Sequence, residues 1–153
     1  MVSALGWEEY YHPEDRSRFL IPATRLASLI QHVKKSLGIS TVRYIGDLSQ
    51  SCQKVVLLPG AVGGKRQIDA ASREQPDVLL CGEISEWETA EYVRDARAQG
   101  RNTALVVMGH TDSEEPGSAY LAKWLQKKVP TVNVFHIPAG NPLSFYGYGS
   151  ANR

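Results

Sequence analysis

Apolar and polar positions follow two different rhythms along this chain. Leu26, Leu29, Ile30, Val33 and Leu37 recur at spacings of three and four, the single stripe of an amphipathic helix. That helix is expected from about Pro22, with Lys34 and Lys35 in its last turn and Gly38 closing it. Elsewhere the apolar residues come in short unbroken runs: Val55-Val56-Leu57-Leu58, Val78-Leu79-Leu80-Cys81 and Ala104-Leu105-Val106-Val107-Met108. Runs of this length, halted by Gly60, Gly82 and Gly109, predict strands buried on both faces.

Between them the helical rhythm returns over residues 65–75, 85–99 and 114–128. Ser85 is the expected N-cap of the second of these, with Glu88 at the capping-box position and Gly100 ending it. Tyr120, Leu121, Trp124 and Leu125 form the expected apolar stripe of the third, with Lys127 and Lys128 at its end. Residues 42–47 read as a short strand that alternates faces, and residues 132–137 as a last strand. Strands alternating with helices predict an α/β fold: a largely parallel sheet with helices on both faces. Residues 1–21 read as a connector with little structure of its own, 22–143 as one α/β domain and 144–153 as a frayed tail.

Bulk properties narrow the function classes. A chain of 153 residues suits one domain. Its 17 basic and 16 acidic residues are spread along the chain, without the basic stripe that nucleic acid wants. Apolar runs stay far below the roughly 20 residues that span a bilayer, and residues 1–9 lack the basic start and apolar stretch of a signal peptide. Cys52 and Cys81 read as buried reduced thiols, which suits a cytoplasmic protein.

In parallel sheets, ligands gather at the carboxyl ends of strands, and three such ends carry candidate chemistry. Pro59-Gly60-Ala61-Val62-Gly63-Gly64-Lys65-Arg66 is either a tight turn or an anion-cradling loop. It is not a P-loop, since Pro59 replaces the first glycine and Arg66 the hydroxyl residue. Glu83 directly follows a buried strand, where a carboxylate needs a cation, a metal or several donors unless the loop is exposed. Glu86 and Glu88 suit a helix start. In Gly109-His110-Thr111-Asp112-Ser113-Glu114-Glu115, an imidazole and a carboxylate four residues apart can face one ion if the intervening segment turns like the start of a helix. That pair suits a divalent metal of the Zn, Mn, Fe or Mg type; the other reading is a loop capped by Ser113 or Asp112. His32 reads as packing beside the first helix's stripe, His136 as part of the last strand and His12 as part of the connector.

The order of these elements resembles the Nif-three-like family, whose members include GTP cyclohydrolase type 2-like proteins. The resemblance rests on Gly82-Glu83-Ile84-Ser85-Glu86 after a strand, on Gly109-His110 with Ser113-Glu114 opening a helix, and on the closing Gly140-Asn141-Pro142. It implies a Nif-three-like C-terminal domain, with His110 and Glu114 as metal ligands and Glu83 nearby. It further implies two divalent ions per site, a toroidal hexamer, and water activated for attack on a small-molecule or nucleotide substrate, a phosphate ester or purine-type ring. The chain departs from the family at Glu86-Trp87, where many members carry paired histidines. The family's remaining ligands, a His-His motif and a downstream Asp from an N-terminal half, have no match here. The chain therefore resembles a truncated form with an incomplete site. A second reading is a non-catalytic α/β oligomerisation or interaction module, suggested by Trp7, Tyr10, Tyr11, Phe145, Tyr146 and Tyr148 near the two ends. A third is nucleotide binding at residues 59–65 without metal.

Overall fold

The computed structural model describes residues 1–145. Along the chain run α1 (Val2–Leu5), β1 (Tyr11–His12), β2 (Asp15–Arg25), α2 (Leu26–Leu37), β3 (Arg43–Ile45) and β4 (Ser51–Leu58). Then come α3 (Gly64–Glu74), β5 (Val78–Cys81), a π-turn (Glu86–Ala90), α4 (Glu91–Ala98), β6 (Ala104–Val107) and α5 (His110–Lys128). One six-stranded sheet forms, in the order β1-β2-β4-β5-β6-β3.

The apolar runs become the sheet's centre: β4, β5 and β6 pair in parallel, and β5 and β6 are buried at every position. Their alternating residues feed two cores. On one face Val55, Leu57, Val78, Leu80, Ala104 and Val106 meet α1 and α2. On the other, Val56, Leu58, Leu79, Cys81, Leu105 and Val107 meet α3 and α4 through Ala71 and Val93. Burial pushes the thiols of Cys52 and Cys81 up to about 11 and about 12, so neither is a thiolate at neutral pH.

The sheet is less parallel than expected. Its outer pairings, β1 with β2, β2 with β4 and β3 with β6, are all antiparallel. The reason lies partly in the expected connector, which is structured. Phe19 and Ile21 alternate inward along β2 while Leu20 between them points out. Pairing of Phe19 with Val55 brings the strand beside β4. Trp7 tilts against Phe19 and stacks on His32, whose Nε2 contacts the Leu5 carbonyl at 2.8 Å. Three consecutive apolar residues among charges concealed a strand covered on one face only. The strand also absorbs Pro22, so α2 starts at Leu26.

Two further departures concern the carboxyl end. Residues 132–137 do not join the sheet; they return along α5, held by side chains rather than a ladder. The Gln126 amide bonds the Val132 carbonyl and the Val134 N–H, and Glu115 faces His136 at 2.6 Å. The α5 stripe is not core either: Tyr120, Leu121 and Trp124 are exposed, as are Phe135 and Ile137. Only Ser113 of α5 is buried, because the helix leaves the sheet end after its first turn. Of the expected tail, residues 146–153 lie outside the described residues.

Phe19→Ala should lower unfolding free energy by about 3–5 kcal/mol in urea, the usual cost of emptying a buried aromatic site. Leu20→Ala on the same strand should stay within about 0.5 kcal/mol. Equal small effects would mean that β2 does not close the core.

Candidate functional site

The carboxyl ends of β4, β5 and β6 lie side by side and remain stitched beyond their last strand residues. Gly82 N–H donates to the Leu58 carbonyl (2.9 Å), Glu83 N–H to Gly60 (3.0 Å) and Gly109 N–H to Gly82 (2.9 Å). This approach is so close that a Cβ on Gly82 would overlap the Gly60 backbone and the Ser113 hydroxyl. Gly60, in the left-handed region at φ 68°, has the Glu114 carboxylate where its own side chain would stand. Ser113 locks α5 onto the ladder: its Oγ accepts from Gly60 N–H (2.9 Å) and donates to the His110 carbonyl (2.7 Å).

That scaffold brings Glu83, His110 and Glu114 together. His110 Nδ1 lies 2.9 Å from Glu83 Oε2, and Nε2 lies 3.0 Å from Glu114 Oε2. A glutamate can only accept when ionised, so each ring nitrogen faces an acceptor. The Glu83 hydrogen bond is the largest influence raising the His110 pKa above its ordinary 6.5, and the Glu114 charge adds to it while burial opposes. The group sits in an open cleft of about 600 Å³, also lined by Arg43, Asn141 and Phe145. Arg43 pairs with Glu86 across the cleft rim.

The alternative loop-capping reading fails on geometry. The N-cap of α5 is Gly109, with no side-chain cap; Ser113 serves the ladder, and Asp112 accepts from the Asn141 amide at 2.9 Å. Ser85 and Glu88 do not form a capping box either. The π-turn redirects Glu88, whose carboxylate lies against Gly64 at the start of α3. A phosphate at residues 59–65 would thus meet a carboxylate of the chain itself, which counts against the anion-loop reading. His12 lies at the far sheet edge in β1, and His136 on the carboxyl segment.

Sequence reading missed Gln67 and Thr89, both wholly buried and linked to the backbone of Glu83. A Gln on a helix and a Thr in a helical stretch carry no outward mark of burial. The available signal was that Gln67 shares a face with Ala71, one turn on.

The donor set can be tested against a metal. Donors about 2.1 Å from one ion are about 3.4 Å apart at a tetrahedral centre and about 3.0 Å apart at an octahedral one. His110 Nε2 and Glu114 Oε2, at the 3.0 Å of their own hydrogen bond, stand close enough to share an ion. Glu83, at the other nitrogen, has the place of the carboxylate that orients a ligating histidine. The two ring nitrogens point apart, so the three side chains do not converge on one point. Among the described residues no group of three or more His, Cys, Asp or Glu side chains does so.

Comparison with known proteins identifies the family. The family model described as Duf34/NIF3 (NGG1p interacting factor 3) matches residues 16–142, which include Glu83, His110 and Glu114. The chain belongs to that family. It is 30% identical over 88 residues to a Clostridium perfringens protein named GTP cyclohydrolase 1 type 2 homolog, covering 58% of this chain and 30% of that protein. A Bacillus cereus protein related to NIF3 superposes with a TM-score of 0.68 at 25% identity, over 84% of this chain and 35% of that one. A Thermus thermophilus structure gives a TM-score of 0.62 at 20% identity, over 90% of this chain and 53% of that one, a likeness of fold. The chain thus spans about a third of the length of the first two relatives.

A pH titration tests the triad. Because the folded pKa of His110 is raised, the stabilisation from its carboxylates is full below 6.5 and fades as pH rises through the raised value. In the metal-free chain, NMR should place its midpoint above 6.5, and Glu83→Gln should bring it down. A midpoint unmoved by Glu83→Gln would show that the two side chains do not pair.

Proposed function

We propose that the chain is the metal-binding, hydrolase-like portion of a protein of this family. His110 Nε2 and Glu114 are two protein ligands to a divalent ion, and Glu83 orients the imidazole. The observation that carries this reading is the 3.0 Å spacing of His110 Nε2 and Glu114 Oε2, with Glu83 on the opposite nitrogen. When bound, the metal supplies Lewis acidity that lowers the pKa of water. The chain's own residues bind and orient. Glu83 keeps the proton on Nδ1, so Nε2 presents its lone pair. Leu143 and Phe145 give the cleft an apolar side on which a flat ring could rest.

A sphere of four to six ligands needs donors beyond these two side chains. A two-metal site, a hexamer and a nucleotide-type substrate belong to this proposal for the whole protein; the name of the Clostridium perfringens relative supports the last. So does a cytoplasmic setting, which two free buried cysteines suit. No helix among the described residues is long and apolar enough to cross a membrane.

One observation favours a second reading, an interaction module. Tyr120, Leu121 and Trp124 of α5, and Phe135 and Ile137 of the segment returning along it, are all exposed, the kind of apolar side chains that a partner covers where they adjoin. The two readings separate in a zinc titration followed calorimetrically. The metal reading expects binding that weakens by more than about a hundredfold in His110→Ala and Glu114→Gln, beyond the roughly 10–100-fold that loss of an outer partner commonly costs. Equal affinity in parent and variants would refute the ligand assignment and leave the module reading.

A further inference from the structure

Behind Glu83, away from the cleft, lies a short relay of buried polar groups. Gln67 and Thr89 are each 0% exposed, on α3 and the π-turn respectively. Gln67 Nε2 donates to the Glu83 carbonyl at 2.7 Å, and Thr89 Oγ1 donates to Gln67 Oε1 at 2.6 Å. The directions are forced. A carbonyl only accepts, so the Gln67 amide nitrogen must face Glu83. Its oxygen then faces Thr89, whose hydroxyl must donate.

The other side of the same residue is also held, since Glu83 N–H donates to Gly60 at 3.0 Å. Both backbone polar groups of Glu83 are thus occupied, which fixes the direction in which its side chain departs. This matters because the Glu83 side chain itself is 55% exposed and gains no rigidity from packing. A carboxylate on a flexible stem in water reaches a ring nitrogen reproducibly only if its root is immobile. Buried polar groups of this kind are costly unless fully satisfied, and their satisfaction here ends on the one residue that contacts His110 Nδ1.

We propose that Gln67 and Thr89 are positioning residues for His110: through the Glu83 backbone they hold its carboxylate on Nδ1 while Nε2 faces Glu114. The affinity part of the test rests on the metal reading; the ring tautomer does not. The variants are Thr89→Val, close to isosteric, Gln67→Leu, and the conservative Thr89→Ser. Nitrogen-15 shifts of the His110 ring, read in metal-free chain above its titration midpoint, report which nitrogen carries the proton, and calorimetry with zinc alone reports affinity.

The parent and Thr89→Ser should share one distribution of the proton between Nδ1 and Nε2. Thr89→Val and Gln67→Leu should shift that distribution toward Nε2 and weaken zinc binding about tenfold, as loss of an outer partner commonly does. A purely structural role predicts lower stability in urea with the tautomer unchanged, and that result in folded Thr89→Val would overturn the proposal even if Gln67→Leu fails to fold. A tautomer shift in a chain that binds no zinc would uphold the relay while refuting the metal reading.

Discussion

Everything at this site depends on how closely three parallel strand ends approach one another. Beyond Leu58, Cys81 and Val107 the chain continues to exchange backbone hydrogen bonds through Gly60, Gly82 and Gly109. A side chain at Gly82 would force the ends apart. With them together, the Ser113 hydroxyl can bridge β4 and the first turn of α5. Glu83 then leaves β5 at the point where His110 leaves β6. Two hydrogen-bonding distances at one imidazole thus follow from a backbone constraint laid down some residues earlier.

The same constraint explains why the carboxylates tolerate their neighbourhood. Each of them lies at the rim of the buried sheet but keeps half or more of its side chain in water. They therefore need no full desolvation, and the imidazole between them favours its protonated form in the absence of metal. A divalent ion would compete for Nε2 with a proton that the same carboxylates help to retain. Binding that releases a proton, weaker as pH falls, is the behaviour this arrangement implies.

Much of this was legible before any coordinates. Runs such as Val78-Leu79-Leu80-Cys81 are apolar on both faces because helices cover both sides of the sheet, and their ends are marked by glycine. His110 and Glu114 are one helical turn apart in sequence, so their meeting required only that α5 begin at His110. What stayed hidden had physical reasons. Residues of β2 show their alternation through a single buried pair, Phe19 and Ile21, diluted by charges facing water. Residues 132–137 have strand-like alternation, with Val134 and His136 turned toward α5, yet they pair with no strand among the described residues. The α5 stripe forms as spaced yet stays largely exposed, because apolar spacing reports a face, not what covers it. Gln67 and Thr89 are polar residues made interior by one another, a relation no local pattern records.

The central claim, that this strand-end corner holds a metal through His110, is tested most directly by X-ray absorption on the zinc-loaded chain. The account predicts an imidazole scattering pattern with nearest neighbours at about 2.0–2.1 Å, abolished in His110→Ala. A spectrum with only oxygen neighbours, or an imidazole pattern that survives His110→Ala, would contradict it.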